Sequence, residues 1–181
     1  MAKGLIWFRT DLRVDDNPAL SAALEKSEEV LAIYIFSHSQ WEAHNESNIK
    51  HEFLINNLIM LKESLEKLGI PLIAINTKSY KTLPIDLSSF SAEQKINHVF
   101  WNNEFGLNEA DRDFSSIKAL KKINIESSSF NDQVIYEPGY LKTGQGKPFS
   151  VFTPFKRRWV ENFDMNFLDI VKPLKSKKFS S

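Results

Sequence analysis

Gly4-Leu5-Ile6-Trp7-Phe8-Arg9-Thr10-Asp11-Leu12-Arg13-Val14-Asp15-Asp16-Asn17-Pro18-Ala19-Leu20 runs from an apolar stretch, across a charged turn, into a helix start. Gly4 to Phe8 reads as a short strand, apolar on both faces as a covered parallel strand requires. Asn17 reads as the N-cap of the next helix. Pro18 takes the first helical position, where its fixed φ is preset and its missing N–H costs nothing. Two arginines and three aspartates therefore follow the C-terminal end of the first strand. In an open α/β sheet that edge is where ligands bind.

Strand and helix alternate outward from this stretch. The first helix extends to about Lys26, and Val30 to Phe36 is a second, near-continuous apolar strand. Leu54, Leu58, Leu61, Leu65 and Leu68 recur at spacings of three and four, which predicts a helix from about Asn48 to Leu68 with one apolar stripe. Gly69 suits the position after its end, and Pro71 prevents continuation. Leu72 to Asn76 is strand three, and Ser79 to Ile96 reads as helical but interrupted at Pro84. Val99 to Asn102 is strand four. Asn108 to Lys122 is a helix with Phe114, Ile117 and Leu120 on one face, and Ile123 to Phe130 is strand five. This alternation predicts an α/β fold. Its sheet is doubly wound, five-stranded and parallel, in the Rossmann-like order 3-2-1-4-5 with helices on both faces. Strands one and four then flank the switch point, and a cleft between Arg9–Asn17 and Asn102–Glu109 is the expected ligand site.

After strand five the pattern becomes loop-rich. Thr153 reads as an N-cap with Pro154 at the first position of a helix through Trp159, and Val171 to Ser181 reads as linker. The expected division is an α/β domain over residues 1–131 and a loop-rich segment over residues 132–181.

Lys plus Arg equals Asp plus Glu at 23 each, so no net field draws the chain to nucleic acid or an anionic membrane. With no cysteine among 181 residues, disulfide frameworks and thiolate chemistry are excluded. The N-terminus lacks signal-peptide features, and no apolar run approaches the ~20 residues of a membrane span. A soluble cytoplasmic protein is the expectation. The first turn holds no Gly-x-Gly-x-x-Gly, and no phosphate-binding Gly-Lys-Ser/Thr loop occurs, Gly144 and Gly146 being turn glycines. His38, His44, His51 and His98 have no metal-ligand spacing, so no metal is expected. Arg9, Asp11, Arg13 and Asp16 read as an ion-pair network fixing the first turn. Lys156-Arg157-Arg158 reads as a solvated helix face or part of a domain interface. Trp7, Trp41, Trp101 and Trp159 read as core or loop anchors.

Four collinear strings carry a resemblance. They are Trp7 to Leu20; Gln40-Trp41-Glu42-Ala43-His44-Asn45 with the helix ending Leu68-Gly69-Ile70-Pro71-Leu72; Trp101-Asn102-Asn103-Glu104-Phe105-Gly106-Leu107-Asn108-Glu109-Ala110-Asp111-Arg112-Asp113; and Lys147-Pro148-Phe149-Ser150-Val151-Phe152-Thr153-Pro154-Phe155. Together they resemble the DNA photolyase/cryptochrome family, most of all its folate-type cyclobutane pyrimidine dimer photolyases. The resemblance implies an α/β antenna domain that binds 5,10-methenyltetrahydrofolate and passes excitation energy to FAD. His44, Asn108 and Glu109 match the family's cofactor-binding positions. The implied roles are hydrogen-bond acceptance from the pterin by Glu109, donation and acceptance by Asn108, and packing or donation by His44. Deazaflavin-using relatives do not follow this pattern. Read from the residues alone, Asn108 is an N-cap with Glu109 and Asp111 favoured by the helix dipole, and His44 is structural.

In that family FAD, the flipped dimer and the DNA backbone are held by a helical domain, and the chain stops where that domain would begin. The resemblance thus implies the light-harvesting N-terminal domain of a deoxyribodipyrimidine photolyase, a carbon–carbon lyase of DNA repair. It implies no catalytic residue in this chain, FAD only in the full-length protein, and damaged DNA as a partner only through the absent domain. Such a piece is expected to be inactive alone, whether as a truncated or as an unusually short product. The alternatives are a cryptochrome-type photoreceptor domain, a stand-alone nucleotide-binding α/β module, and a structural domain with an empty cleft.

Overall fold

The computed structural model describes residues 2–164. Five strands, β1 (Lys3–Phe8), β2 (Glu29–Ser37), β3 (Leu72–Thr77), β4 (His98–Asn102) and β5 (Glu126–Phe130), form one parallel sheet in the order β3-β2-β1-β4-β5. This is the expected order. Ile6 of the central strand lies opposite Ala32 of β2 and Phe100 of β4. The helices are α1 (Pro18–Lys26), α2 (His38–Ala43), α3 (Asn48–Lys67), α4 (Leu83–Glu93), α5 (Leu107–Lys122) and α6 (Phe152–Asn162).

Successive strand residues point to opposite faces of a sheet, so this double-sided apolar sequence makes two cores. On one face Ile6, Phe8 and Phe100 meet Leu20 and Leu24 of α1 and Leu58, Leu61 and Leu65 of α3. On the other, Leu5, Trp7, Val99 and Trp101 meet Leu83 and Leu87 of α4 and Leu120 of α5. Trp7 and Trp101 pack edge to face there, with centroids 5.7 Å apart. Asn17 caps α1 as expected, its Oδ1 accepting from the Leu20 N–H at 3.0 Å. Gly69 has φ 77°, in the left-handed region, and closes α3. Its N–H bonds to the Glu66 carbonyl and that of Ile70 to the Leu65 carbonyl, the paired bonds of a Schellman motif.

Several local expectations are corrected. Pro84 does not interrupt a helix but opens α4, where the first-turn N–H groups have no partner to lose. Likewise α6 starts at Phe152 after Val151, so Pro154 falls third in the helix and Thr153 is not the cap. The N-cap of α5 is Gly106, which places Asn108 inside the first turn. Phe114 and Ile117 are exposed, at 58% and 39%. The buried face of α5 is Arg112, Asp113, Ser116 and Leu120, because its charges pair with Arg9, just past the end of β1, and with Glu104. Ile123 precedes β5 in a turn whose Asn124 has φ 58°. The linker reading of Val171 to Ser181 lies outside the described residues.

Candidate ligand site at the carboxyl ends of the strands

The charged turn after β1 is a scaffold. The Asp11 carboxylate accepts from the backbone N–H of Arg9 at 2.9 Å, from Asn102 Nδ2 at 2.6 Å and from Asn17 Nδ2 at 3.3 Å. Asn102, at the end of β4, donates also to Asn17 Oδ1 and accepts from the Ala19 N–H at 3.1 Å. Asn17 and Asn102 are fully buried, so this network ties the end of β4 to the start of α1 through hydrogen bonds that water cannot replace.

Beyond the expected network with Asp11 and Asp16, the arginines of the turn reach carboxylates far along the chain. Arg9 is buried, and its Nη1 donates to both Asp113 oxygens at 2.9 and 3.0 Å. Glu104 lies between Arg9 and Arg112, 3.9 Å from Arg9 Nε and 2.9 Å from Arg112 Nη2, and accepts from Thr10 Oγ1 at 2.7 Å. Arg13 Nη2 donates to Asp132 and to the Asp16 carbonyl. Both guanidinium groups of the cluster lie over Trp7, 4.8 and 5.0 Å from its centroid, and Arg112 is also 5.0 Å from Tyr80. Burial pushes the Glu104 carboxyl upward, but Arg9, Arg112 and the Thr10 hydroxyl outweigh it and hold the group below its ordinary range. Arg9 is lowered by burial and by Arg112 despite Asp113, whereas Asp113 and Glu104 outweigh burial at Arg112 and raise it.

Above this scaffold opens a cleft of about 570 Å³, between the β1–α1 turn, α2 and the start of α3. His44 and Glu109 both line it. Asn108 does not; it lines an adjoining cavity of about 560 Å³, which shares Gln40, His44 and Tyr80 with the cleft. The local sequence explains His44. The left-handed Asn45, φ 49°, ends α2 in a second Schellman turn, its N–H bonding to the Glu42 carbonyl and that of Glu46 to the Trp41 carbonyl. This leaves His44 as the exposed C-cap, its Nε2 2.7 Å from Gln40 Nε2. Glu109 is the third residue of α5, and its carboxylate lies back against Gly106 in the space a β-carbon there would fill.

Sequence reasoning missed much of the lining. Trp41 is an anchor as expected, packing on Phe36 and His38, and it also lines the cleft and stacks on His51 at 4.1 Å and 23°. The Nε2 of His51 is buried without a hydrogen-bond partner, as are Nε and Nη2 of Arg9. Tyr34 and Tyr80 complete one wall, and burial raises both phenols above their ordinary value. The signal for Trp41 was its place beside His44 in one short helix; His51 lies within α3, where only packing reveals its role. The arrangement offers a planar aromatic surface, the carboxylates of Asp11, Glu46 and Glu109, and buried polar nitrogens, which suits a flat, polar-edged ligand. Among the described residues no group of three His, Cys, Asp or Glu could hold a metal ion, and no helix is long and apolar enough to cross a membrane.

A family model for DNA photolyase matches residues 4–177. Deoxyribodipyrimidine photo-lyase of Escherichia coli is 37% identical over 162 residues, covering 89% of this chain and 34% of that protein. The Vibrio cholerae protein of the same name is 35% identical over 159 residues, covering 88% and 34%. The chain thus spans about a third of the length of these curated relatives. Among solved structures, a bacterial class III photolyase from Agrobacterium tumefaciens superposes with a TM-score of 0.77 at 29% identity, covering 97% of this chain and 35% of that one.

Proposed function

Because this chain belongs to the DNA photolyase family, we propose that it is the light-harvesting α/β part of a deoxyribodipyrimidine photo-lyase and binds 5,10-methenyltetrahydrofolate. In this reading residues 1–131 form the antenna domain, and residues 132–181 lead toward a domain that holds FAD and damaged DNA. The observation that carries the proposal is the meeting of His44 and Glu109 on one cleft at the switch point, with Asn108 on an adjoining cavity that shares Gln40, His44 and Tyr80.

The residues present fit such a group. The cleft volume lies within the range of small-molecule sites, about 300–1,000 Å³. The Trp41–His51 stack offers a flat surface for a pterin, and the partnerless His51 Nε2 offers a polar contact beside it. When bound, the folate supplies absorption of near-ultraviolet and blue light. The chain's own part is to hold and orient. Glu109 accepts from amino and ring N–H groups, Asn108 contributes both donor and acceptor, and the Arg9–Glu104–Arg112–Asp113 cluster keeps the floor rigid.

The test is a titration of the chain with methenyltetrahydrofolate, followed by the red shift and fluorescence of the ligand, with deazaflavin as competitor. Saturable binding weakened about tenfold or more by Glu109→Ala, and less by His44→Ala, is the expected outcome. If a full-length protein carrying this sequence binds no folate, the antenna assignment is lost. Repair of pyrimidine dimers by that full-length protein separates the photolyase reading from a cryptochrome one.

A further inference from the structure

We infer that Gln40 is a positioning residue that sets the ring orientation and tautomer of His44; the consequence for binding rests on the folate reading above. Packing does not hold this ring. Helix α2 is six residues long, buries none of them, and its N-cap makes no side-chain bond. His44 is exposed at its end. An exposed ring keeps one orientation only through a directed contact. Gln40 lies four residues earlier on the same helix face, one turn below, and is itself half-buried. Its Nε2 stands 2.7 Å from His44 Nε2. An amide nitrogen only donates, so the ring nitrogen facing it accepts and the ring proton sits on Nδ1. The contact therefore selects both the orientation and the tautomer.

The position of the pair gives this consequence. Gln40 and His44 both line the cleft that holds Glu109 and the cavity that holds Asn108. With Tyr80 they are the residues common to both cavities. A ligand that fills both cavities, and so reaches Glu109 and Asn108 together, borders the pair and meets the ring as Gln40 presents it. A ring turned over would set the Nδ1–H against the Gln40 N–H and withdraw that donor from the ligand.

The experiment uses the full 181-residue chain, labelled with ¹⁵N. Long-range proton–nitrogen spectra report which ring nitrogen of each histidine is protonated, and His44→Ala assigns the His44 signals. The wild type should show His44 protonated on Nδ1. Gln40→Ala should move it toward Nε2–H and leave His38, His51 and His98 unchanged. Alanine is the best helix former, so α2 should persist in that variant. In the folate titration Gln40→Ala should weaken binding about three- to tenfold, and should add little to His44→Ala in the double variant. A wild-type His44 protonated on Nε2, or spectra unchanged in Gln40→Ala, overturns the role of Gln40 whatever the titration gives. Wild-type affinity in His44→Ala overturns the folate contact of His44 whatever the spectra give.

Discussion

Asn102 shows how one residue decides the geometry of the turn after β1. Its amide touches the Asp11 carboxylate, the Asn17 side chain and the Ala19 N–H, the first of α1, and all of this is buried. Asn102→Ala leaves a buried carboxylate and a buried helix N–H short of partners, which costs about 2–4 kcal/mol. Urea denaturation should show a lower midpoint at unchanged slope; a loss under about 0.5 kcal/mol would mean that water satisfies these groups. The cap role of Asn17 was legible because a cap is local, acting three residues along. The partners of Arg9 and Arg13 were not. Arg9 bonds to Asp113, 104 positions away, and Arg13 to Asp132, 119 away. Charge order in the turn suggested pairing among neighbours, but a buried guanidinium takes whichever carboxylate the fold delivers with good geometry.

Helix ends show a similar contrast at the next scale. Gly69 was legible as a stop because glycine enters the left-handed region without penalty. Helix α4 ends in the same way at Lys95, φ 58°, with the Ile96 N–H bonded to the Ser91 carbonyl, and nothing in a lysine announces this. A β-carbon in that conformation costs about 1–2 kcal/mol, and glycine's extra freedom in the unfolded chain returns about 0.4–1 kcal/mol of the gain. Lys95→Gly should therefore stabilise the protein by about 0.5–1 kcal/mol, read as a higher thermal midpoint; a lower midpoint would show that the lysine side chain makes a contact worth more than the strain. The leucine stripe of α3 predicted its buried face because apolar burial has only one direction to go. In α5 the same logic chose Phe114 and Ile117, and failed. There the inward face is set by Arg112 and Asp113, which must meet Arg9 and Glu104 to be buried at all.

At the scale of the molecule, half-buried titrating groups sit at both ends of the sheet and act with one sign. Glu104, held below its ordinary value, contributes stability that is present above the unfolded carboxyl value of about 4.3 and is lost as pH falls through its folded value. His98 stacks on Phe100 at 4.1 Å at the opposite edge, and burial lowers it, offset in part by Glu126. Below about pH 6.5 the unfolded chain takes up that proton first, so stability declines there too. Urea midpoints should fall in two stages from pH 7 to pH 3. His98→Gln should flatten the upper stage and Glu104→Gln the lower; a profile flat from pH 7 to pH 5 would contradict the first, and one flat from pH 5 to pH 3 the second. By itself the sequence determined the strand order, the two-sided core and the edge of the sheet where the cleft opens. Apolar runs and crossover handedness act through local rules and elementary geometry. It also marked His44 and Glu109, through short strings that keep their own turn chemistry. Only the tertiary structure decided that Asn108 faces a neighbouring cavity, that Trp41 and His51 form an aromatic wall, and which carboxylates meet Arg9 and Arg112. Those are contacts between segments far apart in the chain, and their energies exist only once packing has excluded water from them.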